Sequence, residues 1–361
     1  MFSPEDDLTS DNWIKRLYKD KMSGYDKEAR PVHDHTHNTT LHMALSINHV
    51  DLDDVKQELS VSAWTIMTWT DEFLRWVPMN YMNIDRLHFD DKDIWLPDIT
   101  VYNSADGSHT HPFDKVPVLA DNTGQVFWFP PTHLRVKCDL DLTLWPSDSH
   151  RCVVRMGSWS HHGEQIDIQV MSLNETDGVM LTNFETNNRW ELVKVSASRS
   201  VVSLEGHDPY IEVNFAFEVK RHASTHAQYL TQASLAVVVV VLASYLLPLT
   251  SHLSRLLMHL FGLTILITCY FTLFTTLPAN GGPVPVVVRY FSGTIILTTI
   301  SLLSTLILTV RPCCSSSTSN SSSSYSSYSS SSSSGLGKRL AGAVTSSRVL
   351  RSVLPHAGGG W

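Results

Sequence analysis

The chain has 361 residues, with 27 Lys and Arg against 35 Asp and Glu and a net charge of −8, a length that admits two domains. The charge is unevenly placed. Residues 229–361 contain no Asp or Glu, so 1–228 carries all 35 acids with 20 basic residues, a net −15, while the charges from 311 onward are all basic. An acidic half, an apolar stretch and a basic tail exclude one ordinary soluble globule, and an acidic main domain repels phosphates, which argues against nucleic acid as a partner.

The chain opens MFSPEDD, without the basic start and apolar centre of a secretory leader. If the first half is extracellular, its leader is expected to lie outside this sequence. Residues 10–22, SDNWIKRLYKDKM, predict a short amphipathic helix capped by Ser10 or Asp11. His33, His35 and His37 in HDHTH share one face of an extended segment, but no Cys or acid completes a ligand set at a standard spacing, so a solvated loop and no metal are expected.

From His42 to Lys220 short apolar/polar alternations follow, such as HLRVKCDLDLTL and YIEVNFAFEVK, separated by turn clusters at 103–107, 121–124 and 176–178. This pattern predicts an antiparallel β-sandwich. Of five cysteines, Cys138 and Cys152 stand alone in this half and are the natural disulfide pair, which requires an oxidising compartment. Two glycosylation sequons, at Asn38 and Asn174, point the same way.

Three apolar runs, 229–249, 256–277 and 285–310, come next. Each is long enough to cross about 30 Å of hydrocarbon as a helix. Thr264, Thr268, Thr272 and Thr275 recur along the second run, a spacing that suits a face lining water or one bonding to neighbouring helices. Residues 311–361 are serine-rich and basic and are expected to be disordered. Three crossings place the basic tail in the cytoplasm and 1–228 outside. No fourth apolar run is present.

Cys138 and Cys152 enclose 13 residues, DLDLTLWPSDSHR, including Trp145-Pro146-Ser147-Asp148. With this spacing and turn, and with the segments RLYKDKMSGYDKEARPV, WTDEFLRW, DIWLPDITVYNSADG, PPTHLRVKC and MGSWS, the chain resembles the Cys-loop pentameric ligand-gated channels, specifically nicotinic acetylcholine receptor subunits, from about Trp13 to Arg311. The resemblance implies an extracellular β-sandwich with an N-terminal helix, a helical membrane bundle, and a cage of aromatic rings that holds a quaternary ammonium between two subunits by cation–π attraction. Segment by segment it assigns Tyr102, Trp159 and Tyr210 to the principal face of that cage. It assigns Trp69 and Phe129 to the complementary face. Trp64, Trp76, Trp95 and Trp145 are expected to pack in cores. Trp145, Pro146 and Asp148 of the Cys loop, with Arg221 of the basic pair before the first membrane helix, are expected to couple the sandwich to the pore.

The sequence departs from the family pattern in three places. The adjacent cysteines of ligand-binding α-type subunits are replaced near Leu204, Gly206 and His207, so the chain looks non-α-like. Counting back from Pro278, Ser254 and Thr275 stand where cation channels place acids, and Thr264, or Leu263 after a one-residue shift, stands at the mid-helix gate. Ser254, Thr264, Thr268 and Thr275 are therefore the pore-lining candidates. The family's fourth membrane helix has no counterpart in the runs.

The resemblance implies a subunit of an acetylcholine-type cation channel in a homo- or hetero-pentamer, in the plasma membrane and expected at postsynaptic sites, with membrane lipid as a further partner. It implies no cofactor and no enzymatic activity, and no Gly-x-Ser-x-Gly hydrolase motif occurs. The competing reading is a non-conducting binding or assembly-modulating protein.

Overall fold

The alternation between His42 and Lys220 becomes twelve strands among the described residues. The computed structural model describes residues 12–107, 112–172, 177–203, 206, 208–248, 251–277 and 282–314. Asn174 and the tail from 315 onward lie outside the described residues.

One sheet holds β1 (Thr39–Asp53), β2 (Glu58–Thr70), β3 (Arg86–Phe89), β5 (Val118–Asp121), β6 (Gln125–Trp128), β7 (Pro131–Lys137), β9 (Ile166–Val170) and β10 (Val179–Met180). Its path runs β10-β1-β2-β6-β5-β3, with β7 also on β2 and β9 also on β1. The second sheet runs β11 (Trp190–Val202), β12 (Tyr210–Arg221), β8 (Ser149–Ser158) and β4 (Ile99–Val101). Alternate residues point inward, as β7 shows with Thr132, Leu134 and Val136 buried between exposed neighbours. The inward faces of both sheets share one core, whose largest fully buried rings include Trp69, Trp190, Phe89, Phe215 and Phe217.

The N-terminal helix α1 spans Trp13–Met22 and buries Leu17. Its cap is Asn12, not Ser10 or Asp11: the Asn12 side chain accepts the Ile14 N–H at 3.1 Å. The loop with His33, His35 and His37 is exposed. Arg30 holds it, donating to the carbonyls of His35, His37 and Gln165. Asn38 is also exposed.

The apolar runs form α2 (Ser224–Leu246), α3 (His252–Thr276) and α4 (Val286–Cys314), three helices long and apolar enough to cross a membrane. Their bounds differ from the hydropathy reading. α2 begins five residues before the run at 229. It ends at Leu246 because Pro248 pushes Leu247 into extended geometry, with ψ 144°. α3 likewise stops at Thr276, with Leu277 extended ahead of Pro278. α4 continues four residues beyond 310, so the start of the supposed tail is its last turn.

Sandwich and helices meet through the loop between β7 and β8. Leu142 and Trp145 from that loop are buried among Leu230, Val237, Leu266, Cys269, Leu273 and Phe291. The Val286 N–H donates to the Thr143 carbonyl at 2.9 Å.

Candidate functional site

Tyr102, Trp159 and Tyr210 sit at the ends of three adjoining strands. Trp159, just past β8, and Tyr210, which opens β12, share one end of the second sheet, whereas Tyr102, just past the antiparallel β4, lies opposite Arg155, three residues in from that end, and its ring reaches back toward it. The Tyr102 hydroxyl donates to the Ser158 carbonyl at 2.6 Å, and the Trp159 N–H donates to the Asp98 carbonyl at 3.3 Å. Gly157 lets Tyr102 cross β8: a Cβ there would lie 2.5 Å from the Tyr102 hydroxyl and 2.8 Å from the Ile211 carbonyl. Trp159 is 67% exposed. Burial, helped by Glu212, Asp98 and Tyr210, pushes the Tyr102 phenol up to about 12, so it stays a neutral donor at ordinary pH.

The loop carrying Trp159 is held by one carboxylate. Asp98 accepts from Ser158 Oγ (2.5 Å), Ser160 N (2.7 Å) and Ser160 Oγ (2.6 Å), and its other contact is the His161 ring at 3.3 Å. Burial raises the Asp98 carboxyl, but the bonds from Ser158 and Ser160 outweigh it and leave it below the usual carboxylate range. Gly163 N–H donates to the Pro209 carbonyl at 2.7 Å, tying this loop to the approach of β12.

The complementary face requires a correction. Trp69 is fully buried, edge-on to Trp95 with ring centres 5.8 Å apart, so its ring has no surface with which to meet a neighbouring subunit. Trp64, expected in the core, is instead 43% exposed on the same strand. The two are five residues apart, and an odd separation on a strand reverses the face. Trp64 lies opposite Pro131 of β7. On the same face of β2, Thr68 pairs with Phe127, and Phe127 pairs with Leu119 of β5. Phe129, just beyond β6, is 42% exposed. Trp64 and Phe129 thus belong to the first sheet, whereas Tyr102, Trp159 and Tyr210 belong to the second.

Cys138, after β7, is disulfide-bonded to Cys152 in β8 with Cα atoms 5.2 Å apart, the pairing expected of the two cysteines that stand alone in this half, and the bond joins the two sheets. Asp148, within the loop that this bond closes, pairs with Arg221 at the end of β12. Arg221 Nε and Nη2 donate to Asp148 at 2.8 and 3.1 Å, and Nη1 donates to Asp54 at 2.8 Å. The guanidinium carbon lies 4.3 Å from the centre of the Trp190 ring. The His150 ring is 2.5 Å from the other side of Asp148. Burial raises the Asp148 carboxyl, yet the hydrogen bonds from His150 and Arg221 and the Arg221 charge bring it down to about 2.

Along α3 the buried residues are Arg255, His259, Gly262, Leu266, Cys269 and Leu273, a single stripe at helical spacing. Thr264, Thr268 and Thr275 are exposed on the face turned away from it, with Phe261 and Leu257 one and two turns nearer the helix start than Thr264. Ser254 is exposed at the edge of that face. The threonine hydroxyls are satisfied within the helix, for example Thr268 on the Thr264 carbonyl at 2.9 Å.

Residues 14–223 match the neurotransmitter-gated ion-channel ligand binding domain. The rat neuronal acetylcholine receptor subunit alpha-10 is 30% identical over 318 residues, covering 85% of this chain and 68% of that protein. The chain belongs to the nicotinic acetylcholine receptor family of Cys-loop channels. The Manduca sexta acetylcholine receptor subunit alpha-like is 29% identical over 302 residues (81% of this chain, 58% of that protein). The Drosophila melanogaster acetylcholine receptor subunit beta-like 2 is 27% identical over 298 residues (81% and 57%). The chain therefore spans little more than half the length of some of these relatives.

Within this nicotinic receptor family member, sequence reasoning missed two features. Trp64 was legible in principle from the parity of β2, since Val61, Ala63, Met67 and Trp69 all fall on the inward, odd-numbered face. His161 carried no signal, because its contact with Asp98 spans 63 positions of sequence.

Proposed function

We propose that this chain is one subunit of a pentameric, acetylcholine-type cation channel that takes a quaternary ammonium agonist between subunits and couples its capture to pore opening. The observation that carries this reading is the division of the exposed and half-buried aromatics. Trp159, Tyr210 and the ring tip of Tyr102 gather at one end of the second sheet, while Trp64 and Phe129 lie on the first, so in this reading a ring cage is completed by a neighbouring copy. Each ring face contributes about 0.5–2 kcal/mol to holding a desolvated cation. Capture at Tyr210 is carried along β12 to Arg221, whose grip on Asp148 ties the strand to the disulfide loop and so to Leu142 and Trp145 on the helices. A ligand shifts this equilibrium only if it binds the open form more tightly.

Thr264, Thr268 and Thr275 are the pore-facing residues in this reading, with Ser254 at the inner mouth. The acidic N-terminal half, at net −15, concentrates cations near the outer mouth. Co-expression with α-type subunits and recording of acetylcholine-evoked current tests the proposal. The expected result is a current whose size or agonist sensitivity differs from that of the partners alone, and the same channel with and without this chain refutes it.

A second reading, a non-conducting subunit that binds agonist or modulates assembly, is favoured by one observation. The outward face of α3 carries no carboxylate, and Leu257 and Phe261 put bulky apolar groups on it. Rings of carboxylates are what select cations in such pores. Surface agonist binding together with suppressed partner current distinguishes this reading.

A further inference from the structure

At the end of the bundle remote from the sandwich, three helices converge on buried polar groups. Arg255, one turn into α3, donates through Nη2 to the carbonyls of Tyr245 (3.3 Å) and Leu247 (2.9 Å). These belong to the last turn of α2, where carbonyls lack helical partners and the helix dipole favours a cation. His259, one turn further on, is 1% exposed. Its Nδ1 lies 2.8 Å from the Arg255 carbonyl, and its Nε2 lies 2.7 Å from Ser301 Oγ of α4 and 3.4 Å from Ser244 Oγ of α2. The Tyr245 ring stands edge-on to the imidazole at 6.0 Å, and its hydroxyl is 2.5 Å from Ser301 Oγ.

Hydrogen-bond chemistry fixes the direction of this network. A carbonyl only accepts, so Nδ1 carries the imidazole proton, and in the neutral ring Nε2 accepts from Ser301. Ser301 can in turn accept from Tyr245, while Ser244 donates to the Val241 carbonyl at 2.6 Å. One neutral ring thus ties α3 to α4 and lies against α2.

We propose that His259 is an acid-sensitive latch: the neutral imidazole holds the end of α3 against α2 and α4, and a proton on Nε2 releases it. Protonation turns the acceptor of the Ser301 bond into a donor and creates a cation one turn from Arg255. Like charges at this helical spacing repel, and an apolar surrounding strengthens the effect. Nothing nearby neutralises the pair, since residues 229–314 contain no Asp or Glu. The groups facing His259 are Ser244 and the Tyr245 phenol from α2, Ser301 from α4, and Arg255 from α3, with His252 two turns earlier on α3. Arg289 of α4 is twelve residues from Ser301, about 18 Å along the helix. Arg255 is the group free to yield, and in yielding it lets go of the α2 carbonyls. An ionisable side chain buried in a membrane bundle is costly, and a switching role accounts for its presence.

The latch concerns the helix bundle alone and needs neither agonist nor current, so it stands or falls separately from the channel proposal. The test is amide hydrogen exchange of the full chain in lipid nanodiscs at about pH 7.5 and about pH 6, corrected for the chemical exchange rate. Peptides covering 244–262 are compared with β12 as an internal control. In the wild type, exchange at 244–262 is expected to rise up to about four-fold on acidification while β12 is unchanged. H259Q keeps a donor and an acceptor but takes no proton; R255Q leaves the imidazole but removes the second cation. H259Q is expected to abolish the rise and R255Q to reduce it. A wild type without the rise, or a variant that rises as much as the wild type, overturns the latch.

Discussion

Trp64 and Trp69 point to opposite faces of β2, one 43% exposed and the other fully buried against Trp95. Their substitution should therefore separate binding from folding. W64A is expected to weaken binding of a quaternary ammonium by about ten-fold, the loss of one good cation–π face, with little change in melting. W69A empties a core site and is expected to cost about 3–5 kcal/mol of stability, read as a lower melting temperature and poor yield. Ligand titration and thermal melts of both variants check this, and equal stability losses would refute the assignment.

Gly157 sits where a methyl group would press on both Tyr102 and the Ile211 carbonyl. G157A is expected to destabilise the sandwich by about 1–3 kcal/mol, the usual cost of overpacking. Adding Y102F removes the hydroxyl but not the backbone contact, so rescue should be partial. Melts of the two single variants and the double variant measure it.

What the sequence made legible follows from the range of each interaction. Periodicity and turn residues are local, and they revealed the strands and the apolar helices, while Cys138 and Cys152 were legible as a pair because they are the only two cysteines in the N-terminal half. Caps and helix ends turn on one residue, which is why Asn12 and Pro248 shifted the bounds. Placing Trp69 in the binding face failed because two tryptophans in one short motif invite a match by residue type, whereas the face is set by parity on the strand. Contacts such as Asp98 with His161 and Arg221 with Asp54 join positions that only the folded chain brings near.

Asp148 is depressed to about 2 by His150 and Arg221. A carboxylate lowered in the folded state contributes stability that is complete above its unfolded value, near ~3.9, and is lost as the pH falls toward 2. Melting temperature is therefore expected to drop between about pH 4 and about pH 2 in the wild type and to change less in D148N over that window. R221Q leaves the buried Asp148 and the partly buried Asp54 without the cation they share and is expected to cost about 3–5 kcal/mol near neutral pH, which denaturant unfolding measures.

The bond between Cys138 and Cys152 closes a short loop whose Leu142 and Trp145 rest on the helices. Its removal by C138S with C152S is expected to lower stability by roughly 3 kcal/mol. Limited proteolysis should then cut within 139–151 faster than in the wild type. Unchanged cleavage there would show that the helix contacts alone hold the loop.

β12 runs unbroken from Tyr210 to Arg221 with a ladder on either side, β11 and β8, and α2 begins three residues later. Twelve extended residues span about 36 Å. A pleated ribbon clamped along both edges has almost no slack, so in the proposed channel it would serve as a pushrod whose stroke at one tip arrives at the other. Inserting a single residue would leave that length nearly intact yet turn every side chain beyond it to the wrong side, and the rod would then deliver its thrust with Arg221 facing away from its partner.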